Sequence, residues 1–329
     1  MRASTQHPAR IAIVGAGSFG ARHLQALARI DRPLHVDVVD PDAAARQRAG
    51  ALLSEVGGLK AGAVTWHSDV SAMPVPDVAI VATHARQRAG TVADLVRMGA
   101  RQLLLEKVLF NRMADYDLTD RLFGEHAVRV WVNCARRAYP RMGNLVDLFG
   151  GRPVNYSVSG AGWGLATNVI HHLDEFALLC GSSDLVVSAK SLLPGAYPAK
   201  RPGHVEFFGT LRATAANGSQ FVATCTGGSE AIPGDRVVTI EADGRSATIR
   251  QAAQTMTVRE GSPERTEPYP ISLQSEATAA HINSILDGGA PELPDYATAA
   301  KLHRAMLTAF IGHLRRSGGD PALEECAIT

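Results

Sequence analysis

Over the first 130 residues, short apolar runs alternate with segments of helical spacing. RIAIVG at 10–15, LHVDVV at 34–39, DVAIVA at 77–82, QLLLE at 102–106 and VRVWVN at 128–133 read as strands. Unbroken apolar stretches such as AIVA and LLLE suit parallel strands covered on both faces. Between the strands, 18–29, 41–54, 86–99 and 112–124 carry the i, i+3, i+4 spacing of amphipathic helices. Strands alternating with helices of this length predict βαβ units and a parallel sheet. After about residue 133 the pattern changes. A helix at 138–149, a strand at 152–159 and a helix at 166–180 are followed by runs of alternating or β-branched character. These lie at 184–192, 204–215, 219–226, 236–242, 246–250 and 254–259, with Ala-Asn-Gly at 216–218 and Asp-Gly at 243–244 among the turn signals. Two helices, 274–288 and 295–315, close the chain. This order predicts a second, α+β domain with a mostly antiparallel sheet. The reading is therefore α/β overall, with one domain over 1–130 and another over 131–329.

Composition removes several classes of function. With 33 basic and 32 acidic residues in 329, the net charge is +1, so there is no electrostatic footprint for nucleic acid or for an anionic membrane. No apolar run is long enough to span a bilayer. Cys134, Cys180, Cys225 and Cys326 are widely spaced and form no CxxC pair or zinc-type cluster. They are expected to be free thiols in a reducing compartment, and no metal site is expected. MRASTQHPAR leads directly into IAIVGAG, which is too short and too glycine-interrupted for the core of a signal peptide. A cytoplasmic location is expected. Of the 33 basic residues only five are lysines, at 60, 107, 190, 200 and 301. A lysine in a chemically pointed position therefore stands out.

Three segments carry candidate chemistry. In IAIVGAGSFG, Gly15, Gly17 and Gly20 form GxGxxG between the first strand and the first helix. The first glycine makes the turn, the second admits a pyrophosphate close to the backbone, and the third lets helix and strand pack. The helix N-terminus then offers unpaired N–H groups to phosphate. Asp40 ends the second strand 20 residues after Gly20, where an acid hydrogen-bonds the adenosine ribose and repels a 2′-phosphate. NAD is thus expected ahead of NADP, although Arg46 and Arg48 on the next helix are near enough to meet a phosphate. This is the fingerprint of a Rossmann dinucleotide-binding domain. In LLLEKVLF, Lys107 stands at the carboxyl end of a buried parallel strand, the edge where open α/β sheets bind ligands. Its ammonium can polarise a substrate oxygen and stabilise charge there during hydride transfer. Glu106 either contributes to the same site or holds structure beside Lys107. In GWGLATNVIHHLDEFALLCG, His171 and His172 lie on a half-buried helix and point about 100° apart, so only one can face a given cleft. Histidine has the pKa for proton exchange with an alcohol near neutrality.

Taken together, GAGSFG, DVAIVATHA followed by a helix and LLLEKV, VNCARRAYP, IHHLDEFALLCG and the closing helix pair resemble the glucose–fructose oxidoreductase / inositol dehydrogenase (Gfo/Idh/MocA) family over essentially the whole chain. The resemblance implies a Rossmann domain and a C-terminal α+β domain with a large open sheet, often used for oligomerisation. It also implies NAD(P)-dependent hydride transfer at a secondary alcohol or carbonyl of a sugar, cyclitol or nucleotide sugar. Lys107 matches the lysine of the family's Glu-Lys-Pro motif. His171 matches the family histidine, which lies three residues before an aspartate, here Asp174. Asn133, Arg136 and Arg137 match its Asn…Arg-Arg segment. Three positions depart from the pattern. Val108 replaces the proline, Arg88 stands where many members have histidine, and Thr167, with Asn168 beside it, replaces the catalytic aspartate four residues before the histidine.

The expected catalytic residues are Lys107 and His171. The expected substrate contacts are Asn133, Arg136, Arg137 and Asn168. The expected cofactor contacts are Gly15, Gly17, Ser18, Phe19, Gly20, Asp40, Thr83, Glu106 and Lys107. The partner is a sugar-like small molecule, with neither nucleic acid nor membrane. A homo-oligomer, dimer or tetramer, is expected if a second copy rather than the C-terminal helices covers the open sheet. Two other readings share the fold. One is a non-catalytic NAD- or sugar-binding sensor, suggested by the absent aspartate. The other uses NAD transiently in net non-redox sugar chemistry such as epimerisation or glycoside cleavage.

Overall fold

Strand β1 (Ala9–Val14) leaves the Gly-rich turn at its carboxyl end and passes into α1 (Ser18–Leu27). The chain continues through β2 (Leu34–Val39), α2 (Ala43–Glu55), β3 (Gly62–His67), β4 (Val78–Val81), α3 (Ala85–Met98), β5 (Gln102–Leu105), α4 (Met113–His126) and β6 (Arg129–Val132). This is a computed structural model, and it describes residues 7–227 and 234–329. The six strands form one parallel sheet in the order β3-β2-β1-β4-β5-β6. Chain direction across the sheet reverses between β1 and β4, which makes the carboxyl ends of those strands the place where such a sheet binds a ligand. The runs that read as buried strands are buried: Ile11 to Val14 and Val78 to Val81 are no more than 4% exposed.

Two features of this first unit differ from the sequence reading. Strand β3 is not among the predicted runs. Its sequence GAVTWH lacks an apolar block, and as an edge strand it is only partly covered. The segment 272–295, read as part of the second domain, lies in the first unit, which comprises 1–109, 115–135 and 272–295. Its helix, over Gln274–Leu286, packs on α1, and Ala279, Ile282, Ile285 and Leu293 join the apolar cluster formed by β1, β2 and α1.

The second unit comprises 110–114, 136–271 and 296–329. It contains α5 (Met142–Phe149), β7 (Asn155–Ala161), α6 (Leu165–Cys180), β8 (Leu185–Leu192), β9 (Tyr197–Pro198), β10 (Val205–Glu206), β11 (Gly209–Ala215) and β12 (Gln220–Thr226). Then come β13 (Val237–Ala242), β14 (Arg245–Arg250), β15 (Thr255–Arg259) and β16 (Arg265–Pro268). The helix at 274–286 is α7, and α8 (Tyr296–Arg316) returns to this unit. Eight strands form one sheet in the order β16-β15-β14-β13-β7-β12-β11-β8, antiparallel except where β7 lies parallel to β12. Helices α6 and α8 pack against it. The run 204–215 is not one strand. It divides into β10, which pairs with β9 in a separate ribbon, and β11, which enters the large sheet. The alternation seen in sequence becomes two faces: Tyr156, Val158, Phe221, Ala223, Val238 and Ile240 are buried, and their neighbours Ser157, Ser159, Val222 and Thr239 are not.

The four cysteines are free and buried. Among the described residues no helix is long and apolar enough to cross a membrane, and no His/Cys/Asp/Glu group could hold a metal ion.

Candidate active site

The expected site residues fall into two groups, one in each unit. In the first, the Gly-rich turn has the shape its sequence implies. Gly15 has φ +96°, and a Cβ there would lie 2.8 Å from the backbone of Ala82 and Thr83. A Cβ on Gly20 would fall 1.7 Å from the Gly15 carbonyl oxygen. Both positions exclude any side chain. Gly17 is different: nothing lies within 4 Å of its would-be Cβ, and Gly17, Ser18 and Phe19 are exposed. Gly17 is also the N-cap of α1 and supplies no capping side chain. The first N–H groups of α1 therefore face an open cradle. Across the reversal point, Thr83 Oγ1 is buried with no hydrogen-bond partner. An open helix N-terminus beside an orphaned hydroxyl fits a dinucleotide's phosphates and ribose. Gly15, Gly17, Ser18, Phe19, Gly20 and Thr83 would hold it. Gly20→Ala is expected to force α1 off β1 and abolish NADH binding, measurable by fluorescence titration.

Asp40 braces this turn. Its Oδ2 accepts from the Ala16 N–H at 2.7 Å and its Oδ1 from the Asp42 N–H at 2.8 Å. Each carboxylate oxygen has a further lone pair for a ribose hydroxyl. Arg46 folds back to donate to the Asp40 carbonyl, whereas Arg48 pairs with Asp42.

Lys107 follows β5 at the same edge of the sheet. Its Nζ lies 5.9 Å from the centroid of the Phe19 ring. The Lys107–Val108 peptide is cis, although Val108 is not proline. The loop around it is held by Arg88, which is 3% exposed. Arg88 Nη1 donates to the carbonyls of Glu106 at 2.6 Å and Leu109 at 3.0 Å, and to that of Val108; Nη2 donates to Thr83. One guanidinium thus gathers four backbone acceptors on and beside the Lys107 loop, three of them sharing the two N–H groups of Nη1. Burial pushes its pKa down to about 10, against the opposing charge of Glu106, so it stays a cation at neutral pH.

Beneath Lys107, Glu106 is buried in a polar ring that the sequence did not announce. Its Oε1 meets His23 Nε2 at 3.0 Å and accepts from Asn133 Nδ2. Asn133 also donates to Gln274 Oε1 at 2.8 Å, Gln274 donates to Thr278 Oγ1 at 2.7 Å, and Thr278 Oγ1 meets His23 Nδ1 at 2.8 Å. Burial would raise the Glu106 carboxyl, but the hydrogen bond and charge of His23, the charge of Lys107 and the Asn133 hydrogen bond outweigh it and hold the carboxyl below its usual range. Glu106 is therefore a fixed anion beside the Lys107 ammonium. Asn133, expected at the substrate, has its amide donors in this ring.

In the second unit, α6 is buried almost all round. Only Thr167, Asn168, His171 and Leu178 are not buried. The three polar residues of these four lie within one turn of each other on a single stripe. His171 and Asn168 thus share the partly exposed face of α6. Asn168 Nδ2 donates to the carbonyls of Trp163 and Gly164. His172 faces the core at 0% exposure, its Nδ1 2.7 Å from the Tyr156 hydroxyl, which donates to Glu175 at 2.9 Å. Burial, followed by the charges of Arg136 and Arg236, pushes His172 far below the usual imidazole range and keeps it neutral.

Arg136 and Arg137, expected at the substrate, are engaged by carboxylates of α6. Arg137 grips Asp174 through Nε and Nη2, at 2.9 and 2.7 Å, and Arg136 lies 3.6 Å from Glu175. Burial raises both Asp174 and Glu175, and the two guanidiniums oppose it. These arginines anchor the helix that carries His171. The residue that sequence reasoning missed outright is Glu206. Its Oε1 accepts from Thr167 Oγ1 at 2.6 Å and from the Thr167 N–H at 3.0 Å, and its Oε2 accepts from the Ala166 N–H at 2.9 Å. A carboxylate thus reaches the first turn of α6 although none lies there in sequence.

Residues 9–134 match the oxidoreductase family with an NAD-binding Rossmann fold, Gfo/Idh/MocA. No curated protein matches the sequence. Among solved structures, a UDP-N-acetylglucosamine 3-dehydrogenase from Acidithiobacillus ferrooxidans is similar over 95% of this chain and 100% of its own, with 17% identity and a TM-score of 0.73. An oxidoreductase from Agrobacterium radiobacter, in complex with NAD+, L-tartaric acid and magnesium, covers 92% of this chain and 96% of its own, with 14% identity and a TM-score of 0.69. A 3-ketoreductase from Actinomadura kijaniata, in complex with NADP, covers the same shares with 14% identity and a TM-score of 0.64. The glycine turn and the lysine at the sheet edge both lie within the segment, residues 9–134, that matches the Gfo/Idh/MocA oxidoreductase family.

Proposed function

We propose that the protein is an NAD(P)-dependent dehydrogenase or reductase acting on a secondary alcohol or carbonyl of a sugar, and of a nucleotide sugar in particular. The bound nicotinamide would supply hydride acceptance or donation. Lys107 would polarise the substrate oxygen, His171 would exchange its proton, and Asn168 would orient the sugar. Glu106, Asn133, Arg136 and Arg137 serve this reading by holding Lys107 and α6 in place. The observation that carries it is the pairing of chemistry with exposure. In the first unit the open cradle lies at the sheet edge that bears Lys107, and in the second the one partly exposed stripe of α6 bears His171. A similar structure that is a UDP-N-acetylglucosamine 3-dehydrogenase favours that substrate class, and a similar 3-ketoreductase favours carbonyl chemistry. The reduced, buried thiols support a cytoplasmic enzyme, and the open face of the eight-stranded sheet supports a homo-oligomer built on it.

The test has two steps. Thermal unfolding is followed with NADH, with NADPH and with neither. Ligand at 100 times its Kd stabilises by about 2.7 kcal/mol, and a larger shift with NADH than with NADPH is expected from Asp40. Turnover is then screened over UDP-N-acetylglucosamine, UDP-glucose, dTDP-glucose and myo-inositol with the preferred nucleotide. Binding without turnover of any of these would favour the sensor reading, for which the absence of a carboxylate at position 167 is the motive.

A further inference from the structure

Helix α6 starts without a local cap. Its N-cap is Gly164, at φ +72°, with no capping side chain. A Ser, Thr, Asp or Asn at that position would ordinarily cap the helix from within the sequence. Instead Glu206, on β10, reaches the first turn from 39 residues beyond Thr167 and accepts from two backbone N–H groups and the Thr167 hydroxyl. The two N–H contacts are what any cap supplies. The third is not: it takes the single proton of Thr167 Oγ1, so that this oxygen can only accept from any further partner. Thr167 is also one turn before His171 on the partly exposed stripe of α6.

We propose that Glu206 is a positioning residue of the active site: by holding the Thr167 hydroxyl proton it sets an obligate hydrogen-bond acceptor beside His171, which receives the reacting hydroxyl of the substrate. This rests on the dehydrogenase reading above. It gives α6 a carboxylate-backed acceptor without a carboxylate in its own first turn. Burial raises the Glu206 carboxyl above its usual range, against the hydrogen bonds from Thr167, Ala166 and Phe207.

The test compares wild type, Glu206→Gln, Thr167→Val, Thr167→Ser and the Gln/Val double variant. Tm is measured at pH 7, together with kcat and KM for the panel member that the wild type turns over. The expected result is a fall in kcat of at least about tenfold in Glu206→Gln and in Thr167→Val, measured where both are fully folded, with Tm lowered by no more than the few degrees that a helix cap is worth. Thr167→Ser should restore turnover, and the double variant should be no worse than either single one. Glu206→Gln at full activity, or with losses that track Tm and multiply with those of Thr167→Val, would reduce Glu206 to a helix cap and overturn the role. A wild type that turns over nothing overturns the functional reading, and this role with it. An active wild type with an active Glu206→Gln overturns only the role.

Discussion

Lys107→Ala is expected to lower turnover by about 10²–10⁴-fold while NADH still binds. The dinucleotide cradle is made by glycines, by the start of α1 and by Thr83, so removing one ammonium at the end of β5 leaves it intact. What would disappear, under the proposed role of Lys107, is the charge that polarises the reacting oxygen. His171→Ala should lose turnover on the same scale, because α6 is anchored by Asp174, Glu175 and Glu206 rather than by His171. Lys107→Arg should rescue poorly, since a planar fork does not replace a compact ammonium. Fluorescence titration with NADH and steady-state kinetics on the same preparations separate the two effects. Full turnover in both alanine variants would sink the assignment of these two residues, and lost NADH binding in Lys107→Ala would recast the lysine as a cofactor ligand.

The largest expected effect on stability belongs to Arg88→Met. Four backbone carbonyls, those of Thr83, Glu106, Val108 and Leu109, share this buried guanidinium. Each acceptor left buried and unpaired costs about 1–3 kcal/mol, part of it recovered by relaxation. A net loss of about 3–5 kcal/mol and a fall in Tm of roughly 5–15 °C follow. Arg88→Lys should recover only part, because one ammonium cannot reach both the three carbonyls gathered at Nη1 and the Thr83 carbonyl at Nη2. At temperatures where Arg88→Lys remains folded, its kcat should fall more than its NADH affinity, since the loop it loosens carries Lys107. Calorimetry and kinetics on both variants check this, and a Met variant as stable as wild type would refute the clamp.

What could be read from the sequence was local. GxGxxG, the strand before it and the helix after it are contiguous, so the turn was recognisable without knowing its surroundings. The same holds for the apolar runs of the buried strands and for the polar residues of α6. What escaped was decided across the chain. Arg136 and Arg137 read as substrate contacts because nothing in VNCARRAYP tells that Asp174 and Glu175 will meet them. Thr167 read as a missing carboxylate because the carboxylate comes from Glu206, on a ribbon that the alternation at 204–215 merged into one strand. Strand β3 escaped for a different reason: at the sheet edge, water tolerates Thr65 and His67, and no hydrophobic run is required.

Helix α7 bears on modularity. The stretch recognisable as a nucleotide-binding cassette ends at residue 134, yet its hydrophobic interior and the polar ring around Glu106 are completed by a segment that arrives more than a hundred residues later. A gene fragment cut at the cassette boundary would leave α1 without its cover and Glu106 without two members of its ring. Grafts between relatives at that boundary would inherit the mismatch, with α1 of one parent facing α7 of the other. The compact piece is therefore discontinuous: residues 1–109 and 115–135 together with 272–295.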